Sequence, residues 1–101
     1  MKNLGAGRFI GIAYRQDSLA IVTMAQGCRI SDACFPATTM SAEAIRIYLG
    51  DQEGAVGVAV DSALIGLALD LGRNTLATTT LVASSTAGSA EMLARYAGHA
   101  L

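Results

Sequence analysis

Few side chains in this sequence could do chemistry, and most of those have no partner at a working spacing. Cys28 and Cys34, the two cysteines, fall in one extended run. At roughly 3.3 Å per residue they lie about 20 Å apart, far beyond disulfide reach. No C-x-x-C pair or Cys/His cluster accompanies them, so a zinc site is not expected. His99 is the single histidine and reads as a solvated side chain. Ser84-Ser85 has no His/Asp partner motif for acyl transfer. Gly5-Ala6-Gly7 lacks the preceding strand and the following Lys-Ser/Thr of a phosphate loop. Of the eight acids, Glu43, Asp61 and Glu91 fall at or near the starts of the helices the sequence predicts. Each has an ordinary structural use: Glu43 favours the macrodipole from a helix's first turn, Asp61 suits an N-cap, and Glu91 suits an exposed helix surface. Asp61 stands out because it follows directly on a buried strand.

Composition narrows the classes further. The 101 residues are 52% apolar, 15% charged and 5% aromatic, with a formal net charge of −1. That is one domain, spanning residues 1–101, built on Ala, Leu, Val and Ile and able to bury one core. The seven cations, Lys2, Arg8, Arg15, Arg29, Arg46, Arg73 and Arg95, are scattered, and no global field holds a polyanion. The apolar stretch 55–71 is broken by Asp61 and Asp70, too short and too charged for a membrane span. With no apolar leader at its start and two unpaired cysteines, the chain is expected to be soluble, reduced and cytoplasmic.

The elements that must position these residues follow from periodicity. Phe9, Ile10, Ile12 and Tyr14 mark a first strand, Leu19, Ile21 and Val22 a second, and residues 28–35 a third, which Pro36 ends. Breaks this short predict an antiparallel meander. Ser41 then caps a helix with Glu43 in its first turn, Ile45, Tyr48 and Leu49 at helical spacing, and Gly50 as its stop. Residues 55–60 read as a strand buried on both faces. Asp61-Ser62 caps a helix ending at Gly72. That helix is apolar nearly all round, which predicts deep burial or an oligomer interface. Residues 75–83 form a fifth strand, residues 84–88 a loop, and residues 89–97 a last helix before Gly98. The order is β-β-β-α-β-α-β-α, and right-handed crossovers place the last two strands in parallel beside the first.

That order is the core order of the ribonuclease H fold, and three segments strengthen the likeness. Thr38-Thr39-Met40-Ser41-Ala42-Glu43-Ala44 resembles the T-N-N-x-A-E-Y segment of type 1 ribonuclease H domains, without its asparagines. Asp61-Ser62-Ala63-Leu64-Ile65 resembles the family's D-S-x-L-V. Ala90-Glu91-Met92-Leu93-Ala94-Arg95-Tyr96-Ala97 is similar to A-D-x-L-A-x-x-A, with Glu in place of Asp. The matches run in order across nearly the whole chain.

The resemblance implies a mixed five-stranded sheet flanked by helices. It also implies a site of four carboxylates around two Mg²⁺ or Mn²⁺ ions roughly 3.5–4 Å apart, hydrolysing RNA in an RNA/DNA hybrid. Glu43, Asp61 and Glu91 would be three of those catalytic and metal-binding acids. The first-strand acid and its glycine-rich loop are absent: Ile12-Ala13-Tyr14-Arg15 stands there, with Asp17 just beyond in the turn. The family's histidine before the last helix has no match, because Leu81 falls at that spacing. The expected function is therefore a ribonuclease H-like domain with lost or impaired hydrolysis, retained to bind a partner or to self-associate as a homodimer. The alternative is an active Mg²⁺-dependent nuclease using Glu43, Asp61 and Glu91, with the hybrid as its partner. A fragment of an actin-like nucleotide-binding fold ranks third, since the Asp and glycine turn expected after Ile12 are missing.

Overall fold

Alternating apolar residues with two-residue breaks do produce a meander at the start of the chain. A computed structural model describes residues 7–25, 27–36, 41–50, 55–74, 78–83 and 88–100. Strands β1 (Arg8–Arg15) and β2 (Ser18–Ala25) pair antiparallel, from Arg8 opposite Ala25 to Arg15 opposite Ser18. Gln16 and Asp17 form the turn, both left-handed at φ 52° and 64°. A turn of that hand matches the twist of the strands it joins. β3 (Cys28–Pro36) pairs antiparallel with β2 beyond Gly27, at φ 79°.

The rest of the chain alternates helix and strand. Helix α1 (Ala42–Gly50) begins at Ser41, whose Oγ accepts the Ala44 N–H at 3.1 Å. β4 (Ala55–Asp61) runs into a 3₁₀ turn (Ser62–Leu64) and then α2 (Ile65–Asn74). β5 (Thr78–Val82) and α3 (Ala90–Ala100) complete the described elements. The sheet order is β3-β2-β1-β4-β5, with β4 parallel to β1 and β5 parallel to β4. The chain is therefore an α/β protein with a mixed five-stranded sheet flanked by helices.

Each strand sends alternate residues to the two faces. Ile10, Ile12, Leu19, Ile21, Val58 and Val60 pack with Ile45 of α1 and Ala68 and Leu71 of α2. On the other face Ala13, Val22, Met24 and Ala59 meet Ala90, Leu93, Ala94 and Ala97 of α3. The second contact is backbone-close: a Cβ on Gly11 would collide with the Ala90 carbonyl oxygen and the Ala94 nitrogen. Glycine at that one strand position lets the helix settle on the sheet.

Two boundaries differ from the sequence reading. α2 runs to Asn74, past Gly72, where a Cβ would meet nothing within 4 Å and glycine imposes no stop. α3 continues through Gly98, which lies against the Phe9 ring. That tertiary contact outweighs the local preference of glycine for a helix end. α2 is also not deeply buried, since Ile65 and Leu69 face outward while Ala68 and Leu71 are enclosed. Residues 75–77 and 84–87, expected as part of the fifth strand and as a loop, lie outside the described residues. Among those described, no helix is long and apolar enough to cross a membrane.

Candidate functional site

Asp61 is the acid that the fold places most deliberately. It ends β4, next to Val60, which pairs with Ile12 in the parallel ladder. One step beyond that pair stand Asp61 and Ala13. Ala13 packs on the α3 side, and alternation along β4 puts Asp61 on that side with Ala59. Asp61 is 5% exposed, and its Oδ1 accepts the Ala63 N–H at 2.9 Å. The side chain thus caps the 3₁₀ turn, satisfying a backbone donor that the turn leaves open.

Glu91 lies on the same side of the sheet but is turned elsewhere. Its Oε1 is 3.6 Å from Arg29 Nη1 on β3, and its Oε2 accepts from Arg95 Nη2 at 3.1 Å, one helical turn along α3. β3 and β4 are three strand spacings apart in the sheet, or about 14 Å. Two guanidinium groups therefore hold the Glu91 carboxylate on the β3 side, away from Asp61. Glu43 is exposed in the first turn of α1, whose Ile45 packs on the opposite face of the sheet. Asp17 sits in the β1–β2 turn and accepts the Tyr14 hydroxyl at 2.8 Å. That hydrogen bond, reinforced by the carboxylate's charge and by slight desolvation, raises the Tyr14 pKa above its usual value. Tyr14 packs with the α1/α2 layer, so Asp17 is tied away from the Ala13–Asp61 side. Among the described residues, no three His, Cys, Asp or Glu side chains form a group able to hold a metal ion.

The sheet opens instead into a shallow cleft of about 370 Å³ at the C-terminal end of β1. Ala13, Arg15, Ser18 and Cys34 line it from the strands, and Ser89 and Ala90 line it from the start of α3. Ser89 caps that helix by accepting the Met92 N–H at 3.2 Å, and Arg15 Nη2 donates to the Gly88 carbonyl at 3.0 Å. Arg15 thereby fastens the end of β1 to the entry of α3. Arg15, Arg29 and Arg95, far apart in sequence, engage Gly88, two residues ahead of α3, or Glu91 in its first turn. Sequence reading missed this grouping because only strand pairing and helix docking bring the three together. The arrangement offers a mostly apolar recess edged by Arg15, Ser18 and Ser89, with no nucleophile and base paired among the described residues.

Protein-family models give no match to this chain, and a search of curated proteins gives none either.

Proposed function

We propose that this chain is a ribonuclease H-like domain whose metal-dependent hydrolysis has lapsed and which serves as a binding or self-association module. The observation that carries this reading is the pairing of β1 with β4. Beside the buried Asp61, where a first-strand carboxylate would complete the metal site, stands Ala13, itself buried under α3. The element order and the parallel placement of β4 and β5 support the ribonuclease H-like part of the reading.

The donor set does not fit a two-ion site. Mg²⁺ demands near-ideal octahedral oxygen geometry and few ligands can be spared. Here Asp61 caps a turn, Glu91 is ion-paired with Arg29 and Arg95, and Glu43 belongs to the other helical layer. Two-metal hydrolysis needs acids converging on ions roughly 3.5–4 Å apart.

The test is cleavage of a labelled RNA/DNA hybrid with Mg²⁺ and then Mn²⁺. The expected result is no metal-dependent product above a protein-free control. Cleavage abolished by Asp61→Asn would overturn the reading and favour the active nuclease using Glu43, Asp61 and Glu91.

A further inference from the structure

The cleft at the C-terminal end of β1 has a floor made of small side chains. Ala13 pairs with Ala20, and Ala20 pairs with Cys34, so the three stand in one row across β1, β2 and β3. All three lie on the α3 side of the sheet, because Ala13 and Ala20 pack there and directly paired residues share a face. α3 packs on β1, β2 and β4, and its start forms one rim of the cleft. No large side chain rises from the floor to fill the space beside the helix, and a recess of about 370 Å³ remains. That volume is enough for a small molecule.

The charge around the recess is of one sign. Among the described residues that line it, Arg15 alone is charged. Its guanidinium is held in place by the Nη2 hydrogen bond to the Gly88 carbonyl, which uses one N–H of a group that carries several. The amino end of α3 beside it adds partial positive charge. The acids of the adjoining turn, of β3 and of α3 are engaged elsewhere: Asp17 by Tyr14, Asp32 by Arg29, and Glu91 by Arg29 and Arg95. The rest of the lining is mostly apolar, with Ser18 and Ser89 at its edge.

We propose that this recess binds a small monocarboxylic acid with an apolar body, its carboxylate on Arg15 and its hydrocarbon over Ala13, Ala20 and Cys34. The inference rests on the binding role proposed above and gives it a ligand class. Charge complementarity selects an anion, since Arg15 meets no acid in the described lining. A planar carboxylate suits the guanidinium fork. A phosphate ester carries more charge and more acceptors than Arg15 can answer, and Arg29 and Arg95 are already engaged by Glu91. An amine would meet Arg15 as a like charge, and an alcohol would forgo the ion pair. A bare inorganic anion would leave the apolar floor uncovered and gain nothing from it.

An NMR titration of the full chain with hexanoate tests the assignment, with hexanol, hexylamine and acetate as controls. Amide shifts are expected at Ala13, Ser18, Ala20 and Ser89, with a dissociation constant of roughly 1 mM for a ligand this small. Hexanol and acetate should bind about fivefold more weakly, and hexylamine more weakly still. Arg15→Gln should bring hexanoate level with hexanol. Cys34→Glu sets an acid on the floor at an exposed position and should abolish hexanoate binding, with circular dichroism as the folding check. Hexanoate should also slow alkylation of Cys34 by iodoacetamide and leave Cys28, exposed and outside the recess lining, unchanged. Equal affinity for hexanoate and hexanol would overturn the proposal. So would a titration without shifts at roughly ten times the expected constant, or hexanoate binding that survives Cys34→Glu. If Arg15→Gln loosens α3, the Cys34→Glu result decides. Hybrid cleavage would overturn the reading of lapsed hydrolysis and leave this site standing, and a failed hexanoate titration would do the reverse.

Discussion

The sheet is covered on its two sides by different means. Toward α1 and α2 it presents Ile10, Ile12, Leu19, Ile21, Val58 and Val60, and the gap is filled by Ile45 and Leu71. Toward α3 the same strands present Gly11, Ala13 and Ala59 to Ala90, Ala94 and Ala97, with Leu93 and Met24 as the larger members. One layer is held by side-chain volume, the other by backbone approach. The difference bears on function because Ala13, Asp61 and Glu91 all belong to the tight side. A helix resting this closely on β1 keeps Ala13 buried beneath it, whereas a bulkier packing layer would hold the helix farther off.

The comparison can be broken by substitution. The largest effect is expected on the side held by volume: Ile12→Ala should cost about 2–5 kcal/mol, because a large, fully buried side chain is replaced by a void. Urea denaturation measures it, and a loss below about 1 kcal/mol would mean that this layer collapses to fill the gap. On the other side the sign of the volume change reverses. Gly11→Ala adds a single methyl group yet should cost about 1–3 kcal/mol, since α3 must shift to admit it. Gly72→Ala is the matched control, because a Cβ there meets nothing within 4 Å. Inside α2 it should stabilise by about 0.4–1 kcal/mol by restricting the unfolded chain. Equal responses at Gly11 and Gly72 would refute the close approach of α3.

The smallest effect sharpens the view of the β1–β2 turn. Tyr14 holds its proton more tightly in the folded chain because Asp17 accepts from it. The folded pKa therefore lies above the unfolded one, near 10. The stabilisation is fully present at neutral pH, and is lost as pH rises through the folded pKa. In an alkaline titration followed by tyrosinate absorbance, Asp17→Asn should bring Tyr14 back toward the ordinary range. Superimposable curves for the two proteins would show that the hydrogen bond does not form in solution.

Local signals carried much of the architecture. The Ser41 cap, the β1–β2 break at Gln16-Asp17, the buried run ending at Asp61 and the helix opening at Ser89 were each legible, because each depends on neighbours a few residues away. The end of α3 was not, because the Phe9 ring that lies against Gly98 belongs to the first strand. The three candidate acids were legible as residue types at element starts. Where their carboxylates point was not, since Glu91 is turned by Arg29 from a strand more than sixty positions earlier.

From the residues alone came the order of elements, the α/β class and the presence of Ala13 where the resemblance asks for an acid. Those follow from periodicity, capping and identity, which are short-range properties. Tertiary structure decided that Glu91 meets Arg29 of a distant strand, that α3 lies on Gly11 and that β3 and β5 end up at opposite edges of the sheet. Each of these depends on which distant segments meet. That is set by burying both faces of one sheet together, and no single window of sequence contains it.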